Sequence, residues 1–192
     1  MAGRPLWMIF ASIVAATALN AALHLFNDLA GLPLFLDSVA TAATAALFGI
    51  LPGMVVALAT SLSMEYFGGS PGIYLPFVVC GFLTATIVGA AVKRGRFEDL
   101  FDVVLVSLAV TMANAVCGAV VATFLFGGIT GAAIDFLVTG FLASGRSVLS
   151  STFWARVPAN LVDKSLSILF AWALYRRVRA RKSATSWEAE NT

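Results

Sequence analysis

Phe101–Phe126 reads FDVVLVSLAVTMANAVCGAVVATFLF, a long apolar run whose one charged side chain, Asp102, sits at its start. An α-helix rises about 1.5 Å per residue, and about 20 mostly apolar residues cross the roughly 30 Å of a bilayer's hydrocarbon. The stretch is long enough to cross, and it predicts a transmembrane helix. Working outward, comparable runs cover Ala155–Tyr175 on one side and Ile73–Val92, Gly53–Phe67, Leu34–Leu51 and Trp7–Phe26 on the other. The second and third of the six, counted from the N-terminus, are separated only at Pro52–Gly53, a pair that predicts a helix-turn-helix break. The third is short. The expectation is an all-α integral membrane protein with six transmembrane helices.

Composition agrees. Hydrophobic residues make up 60% of the 192 residues and charged ones 11%, with a mean hydropathy of +0.93. A soluble domain carries about 25% charged residues, so much of this surface faces something other than water. Sixteen glycines and many alanines suit helices that pack closely in lipid, where no hydrophobic drive holds helix to helix. Arg4, the run from Leu6 and the Ala16–Thr17–Ala18 triplet loosely match a cleaved signal peptide. The apolar stretch continues to Phe26, however, and is read as a span.

Net charge is +2 and says little; its placement says more. Alternating spans put Arg4, Lys93, Arg94, Arg96, Arg176, Arg177, Arg179, Arg181 and Lys182 on one side. The other side and its helix ends hold Arg146, Arg156 and Lys164. Basic residues mark the cytoplasmic face, so both termini are expected inside a cell membrane, with residues 1–182 as the membrane domain and 183–192 as a short cytoplasmic tail. Trp7, Trp154, Trp172 and Tyr175 fall near expected interfaces. On the outer side, Asn27–Pro33 and Gly68–Gly72 are turns, and Gly127–Phe153 is the one substantial loop. It opens with Gly127–Gly128–Ile129–Thr130–Gly131, carries Asp135, and is expected to hold a short interfacial or re-entrant helix over Ala132–Ala143. Ser144–Gly145–Arg146–Ser147 then breaks that helix.

Polar residues of different spans converge on one depth. Counting from the inner helix ends, Asn20, Asp37, Glu65, Asn114, Asn160 and Asp163 all lie about 18–22 Å up. On the last span Asn160, Asp163, Lys164 and Ser167 share one face by their i, i+3, i+4, i+7 spacing. A charge at mid-membrane costs about 2.5–3.5 kcal/mol on insertion scales. Several at one level point to an outward-facing, water-accessible cavity. The alternatives are structural: Asp163 or Glu65 paired with Lys164, Asp37 capping its own helix, Asn20 and Asn114 as interhelical glue. Tyr66 and Tyr74 beside Glu65 suit either stacking on a flat ligand or an aromatic belt. His24, the lone histidine, either lines the same cavity or sits at the interface.

Ala11, Ala15, Ala18 and Ala22 form a narrow small-residue face on the first span, and Ala40, Ala43, Thr44 and Ala46 do the same on the second. Such faces suit close helix contact, internal or with another subunit. Cys80 and Cys117 lie in apolar runs without metal-ligand spacing and are read as free buried thiols. No GxxxxGK[ST], HExxH or GxSxG motif occurs, so no catalytic role, cofactor or metal site is expected, and nothing points to nucleic acid. The loops leave no room for a soluble catalytic domain.

Four segments carry a resemblance. They are Leu34–Phe35–Leu36–Asp37–Ser38–Val39–Ala40–Thr41, Leu47–Phe48–Gly49–Ile50–Leu51–Pro52–Gly53, Phe126–Gly127–Gly128–Ile129–Thr130–Gly131 and Val157–Pro158–Ala159–Asn160–Leu161–Val162–Asp163–Lys164. The chain resembles, over nearly its whole length, the substrate-binding S components of energy-coupling factor importers; similar strings also occur in membrane domains fused to sensor histidine kinases. The resemblance implies a prokaryotic six-helix membrane protein that captures a vitamin or similar micronutrient in an outward pocket closed by loops. It also implies a transmembrane coupling subunit that docks on an alanine-rich first helix, here Ala11–Ala15 and Ala18–Ala22, and ATPase subunits that drive release. On that reading Asp37, Glu65, Asn160 and Asp163 form the pocket, with Asn114 and Tyr74 supporting, and Pro33, Gly68–Gly72 and Gly127–Gly131 shape a lid. A membrane sensor signalling through a partner kinase and an independent secondary transporter or channel are the other expectations. An integral membrane enzyme is the remotest.

Overall fold

Every regular element among the described residues is a helix. The structure, a computed structural model, describes residues 6–68 and 71–190, with side chains as far as Arg181. Of the residues named above, Arg4, Gly69, Ser70 and the side chain of Lys182 lie outside this description, as do the last two residues of the tail. The helices are α1 (Leu6–Leu29), α2 (Val39–Phe48), α3 (Ile50–Phe67), α4 (Val78–Lys93), α5 (Leu100–Phe126), α6 (Asp135–Ala143) and α7 (Val148–Glu190). A 3-10 turn, Leu75–Phe77, leads into α4.

Four helical stretches are long and apolar enough to cross a membrane: α1, α3, Leu75–Lys93 and α5. Large apolar side chains stand exposed on their outer faces, among them Phe10, Leu62, Val104 and Phe124. A water-soluble fold does not leave so much contiguous apolar surface open. The chain is a helical membrane-embedded protein.

Six such spans do not appear, for two separate reasons. Within the expected second span, Leu34–Leu51, α2 supplies only ten residues, and Ile50 and Leu51 already belong to α3. Ten residues make about 15 Å of helix, half of what the hydrocarbon needs. The break after it falls at Gly49, whose φ of 104° lies in the region that favours glycine, and not at Pro52–Gly53. Pro52 is instead the third residue of α3, where a backbone N–H has no helical partner to lose. The expected last span, Ala155–Tyr175, is part of the much longer α7, which carries Arg156, Asp163 and Lys164 within one membrane thickness. It also absorbs the end of the loop expected to run to Phe153. Pro158 lies inside α7 and deprives the Trp154 carbonyl of its usual donor. Membrane helices tolerate this where neighbours cover the freed group.

α2 is the axis of the bundle. It packs on α1, α3, α4 and α7, and every residue from Ala40 to Ala46 is buried. Four helices can close around a fifth only where its side chains are small, so the alanine-rich second stretch is an internal packing surface. The α1 stripe behaves differently: Ala11, Ala15, Ala18 and Ala22 are all exposed.

The two ends of the bundle are filled differently. Near Lys93 and Tyr175 the interior is dry, with Val88, Phe97, Val103, Val106, Ile168 and Ala171 in one apolar cluster. The α4–α5 turn is tied there to α7: the Trp172 indole N–H donates to the Glu98 carbonyl (3.2 Å), and Arg179 pairs with the Glu98 carboxylate. At the opposite end α6 lies over the start of α7, joining Ile134, Val138, Ala155 and Ala159 with Phe35 packed against them. The expected short helix in the outer loop is therefore present, as α6.

Candidate functional site

Between the helices, next to the connection that leads into α6, lies a cavity of about 110 Å³. One water requires ~10–15 Å³ by the same measure, so the space suits a small organic molecule. Its wall draws on α1, α3, α4, α5, α7 and the connections before α2, α4 and α6. Of the expected site residues Asp37, Tyr74, Asn114 and Asn160 line it; Glu65 and Asp163 do not.

The segment 33–37 enters the bundle without helical hydrogen bonds, which lipid-exposed backbone cannot do. Side chains satisfy it instead. Asn27 Nδ2 donates to the Leu34 carbonyl (2.9 Å), His24 Nδ1 lies 3.0 Å from the Phe35 carbonyl, and the Leu36 N–H donates to Asp163 Oδ1 (3.1 Å). Leu36 has a φ of 49°, a conformation costing a non-glycine residue roughly 1–2 kcal/mol. The bond to a fully buried carboxylate holds it there. Asn20 completes the seam: its Oδ1 accepts from the Ala40 N–H (2.8 Å), an otherwise orphaned donor at the start of α2, and its Nδ2 donates to Thr41 and Thr60. Of the readings open for Asn20, the structure supports interhelical glue.

Lys164 bolts this segment to α7. Its ammonium sits 2.6 Å from Asp163 Oδ2 and 3.2 Å from Asp37 Oδ1, and donates to Ser38 Oγ (2.7 Å). It donates hydrogen bonds to Asp37 and Ser38 and is paired by charge with Asp163, which is how a buried ammonium is tolerated. The Lys164 and Asp163 side chains are 3% and 0% exposed, whereas Asp37 is 41% exposed and opens on the cavity. Asp37 pairs with lysine and does not cap α2, whose N-cap residue is Ser38. The shared face on α7 is present: Asn160, Asp163, Lys164 and Ser167 are all buried.

Two further carboxylates work as Asp163 does. Glu65 accepts from the backbone N–H groups of Gly72, Tyr74 (3.0 Å) and Leu75 (3.0 Å), fixing the turn that sets the Tyr74 ring against the cavity. Asp135 accepts from the N–H groups of Thr130 and Gly131, both at 2.7 Å, and from the Thr130 hydroxyl (3.3 Å). Each of the three acidic residues clamps one connection over the cavity. Tyr66, by contrast, is 85% exposed and points its ring outward beside Phe67.

The cavity's most consequential side chain was not singled out from the sequence. Arg156 is 2% exposed, and its guanidinium makes no hydrogen bond or ion pair with any described residue. It lies 5.9 Å from the Phe35 ring centre and 5.7 Å from that of Phe77. Gly118 lies beneath it: a Cβ there would come 3.2 Å from Arg156 Nε and 3.3 Å from Cδ. A signal for both existed, since Arg156 precedes Asn160 by one helical turn and Gly118 follows Asn114 by one. Cys80 also reaches the wall; it and Cys117 are free thiols, half-buried and not fully enclosed. Among the described residues no group of three or more potential ligands could hold a metal ion.

No protein-family model matches the chain, and no curated protein or solved structure matches it at significance.

Proposed function

We propose that this chain is a substrate-binding membrane subunit of the S-component kind, capturing a vitamin or similar micronutrient for an energy-coupling factor importer in a prokaryotic cell membrane. The carrying observation is the cavity beside an irregular, side-chain-satisfied lead-in to α2. Non-helical backbone at membrane depth persists only where protein covers it or where it lines a cavity, and membrane transport proteins place such broken segments at their binding sites. Here one such segment, one turn and one loop converge over the cavity, each clamped by a carboxylate.

In this reading α2 with its lead-in and α7 cross the bilayer alongside the four apolar helices, giving six crossings. The dry end bearing Lys93, Arg94, Arg96, Arg176 and Arg177 is cytoplasmic, with both termini, and the cavity opens toward the outside. The exposed α1 stripe, Ala11, Ala15, Ala18 and Ala22, is the surface for the transmembrane coupling subunit. ATP hydrolysis belongs to separate ATPase subunits. The chain itself catalyses nothing and uses no cofactor.

Native mass spectrometry of the chain extracted from its own membrane tests the reading, together with uptake into proteoliposomes. A stoichiometric small molecule and no uptake by the chain alone are the expected results. Uptake by the isolated chain would make it an independent transporter instead. A co-purifying kinase in place of a coupling subunit would make it a sensor.

A further inference from the structure

Among the described residues the Arg156 guanidinium has no hydrogen-bond or ion-pair partner. Lys164 is engaged by its ion pairs with Asp163 and Asp37 and its hydrogen bond to Ser38. Asp135, the carboxylate that acts on Arg156 through space, has its oxygens engaged by Thr130 and Gly131 and makes no ion pair with it. A guanidinium carries five N–H donors in a planar fork, and burying an ionised group without a partner is among the most unfavourable arrangements a fold can hold. The chain nevertheless makes room for it: Gly118 removes the side chain that would crowd it, and Phe35 and Phe77 present ring faces on which a guanidinium rests. Those rings stabilise the cation without occupying its N–H groups, which are left for something entering the cavity.

We infer that Arg156 is the anchor for the ligand's anionic group, and that the ligand is a compact monocarboxylate with an apolar body. This rests on the substrate-binding reading given above. A carboxylate matches the guanidinium fork with two parallel hydrogen bonds. One unpaired cation balances one negative charge, which favours a carboxylate over a doubly charged phosphate. The wall also offers apolar and aromatic area from Phe35, Phe77, Ile73 and Met64 for a hydrocarbon or ring body, beside polar groups such as Asp37, Thr60 and Asn160. Asn160, one turn along α7, spends an amide N–H on the Arg156 carbonyl (2.9 Å) and so steadies the backbone that carries the anchor.

The test uses the full chain in detergent with benzoate, benzamide, benzylamine and phenyl phosphate as probes, read by calorimetry and thermal shift. Native mass spectrometry identifies any molecule that co-purifies. Benzoate is expected to bind at least about thirtyfold more tightly than benzamide, the loss expected when one partner of a buried charge pair is absent. Arg156→Gln should abolish that preference while raising the melting temperature of the unliganded protein, because it removes a buried unpaired charge. A merely structural arginine would lower it. Arg156→Lys should keep part of the preference. Should Arg156→Gln fail to fold, Gly118→Ala crowds the guanidinium without changing charge and should also weaken benzoate. A co-purifying monocarboxylate supports the inference even if benzoate is too small to bind. Equal binding of benzamide or benzylamine, tighter binding of phenyl phosphate, or unchanged benzoate affinity in Arg156→Gln overturns it. A co-purifying neutral or cationic molecule overturns it too and leaves the substrate-binding reading standing. If nothing co-purifies and no probe binds, the substrate-binding reading falls and this inference with it.

Discussion

Replacing Lys164 with Met removes the ammonium that three acceptors share and keeps most of its volume. At an effective dielectric constant of 20, the gross attraction at the observed 2.6 Å and 3.2 Å is about 6 and 5 kcal/mol. Desolvating the charged groups costs several kcal/mol per ion, so the intact cluster is close to neutral for stability. The damage in the variant comes from what is stranded. Asp163, 0% exposed, would lose its counter-ion and have only the Leu36 N–H to face it. Breaking a buried pair this way costs about 3–5 kcal/mol. At about 2–4 °C per kcal/mol for a chain of this size, the melting temperature should fall by about 6–20 °C. Asp37 adds little, because the cavity keeps it partly solvated. Adding Asp163→Asn removes the stranded charge yet retains an oxygen for the Leu36 N–H, so the double variant should recover more than half of the loss. The four tryptophans give the fluorescence signal for melting in detergent. A single variant that melts within about 3 °C of the parent, or a double variant no more stable than the single, would refute the reasoning.

Asp135→Ala should leave the helices intact and release the loop over the cavity, seen as faster hydrogen exchange at the Thr130 and Gly131 amides, with Asp135→Asn retaining partial protection; unchanged exchange would remove Asp135 as a clamp. In a chain with Cys80 and Cys117 replaced by alanine, Thr139→Cys on α6 should react with a membrane-impermeant maleimide in intact cells. Ala180→Cys on α7 should react only after permeabilisation. The reverse pattern would invert the orientation.

Helix type and membrane character were legible because they follow from length and hydropathy alone: α1, α3, α4 and α5 sit close to the apolar runs that foretold them. The α2 region was not, since Leu34–Asp37 is as apolar as a helix and nothing local marks it as irregular. What breaks it there is remote, namely acceptors and donors on α1 and α7 that Asn27, His24 and Asp163 supply. Pro52 misled for a related reason, because a proline that ends a helix and one that begins the next look alike in sequence. In the site, the depth count brought Asp37, Asn114 and Asn160 together, and Tyr74, named from its place beside Glu65, reaches the same cavity. It could not say which carboxylates face inward: Glu65 and Asp163 lie at the right level but turn toward backbone N–H groups. Arg156 reads in the sequence as one charge among those near helix ends, although its one-turn offset from Asn160 puts it on the polar face.

The three clamps change what the polar layer means. Read as ligand contacts, the three carboxylates at one depth, Asp37, Glu65 and Asp163, would describe a receptor for a cation. In the fold Asp163, Glu65 and Asp135 each accept backbone N–H groups of a connection over the cavity, and Asp37 is partnered by Lys164. The negative charge is consumed in holding the cover in place. On the proposed substrate-binding reading, what the described residues leave for a ligand is the opposite sign, the Arg156 guanidinium between two aromatic rings. On the proposed reading the cover must also open, and backbone that does both is better held by a few charge-assisted hydrogen bonds than by a packed apolar interface. Such bonds can be broken singly, whereas packing is lost cooperatively.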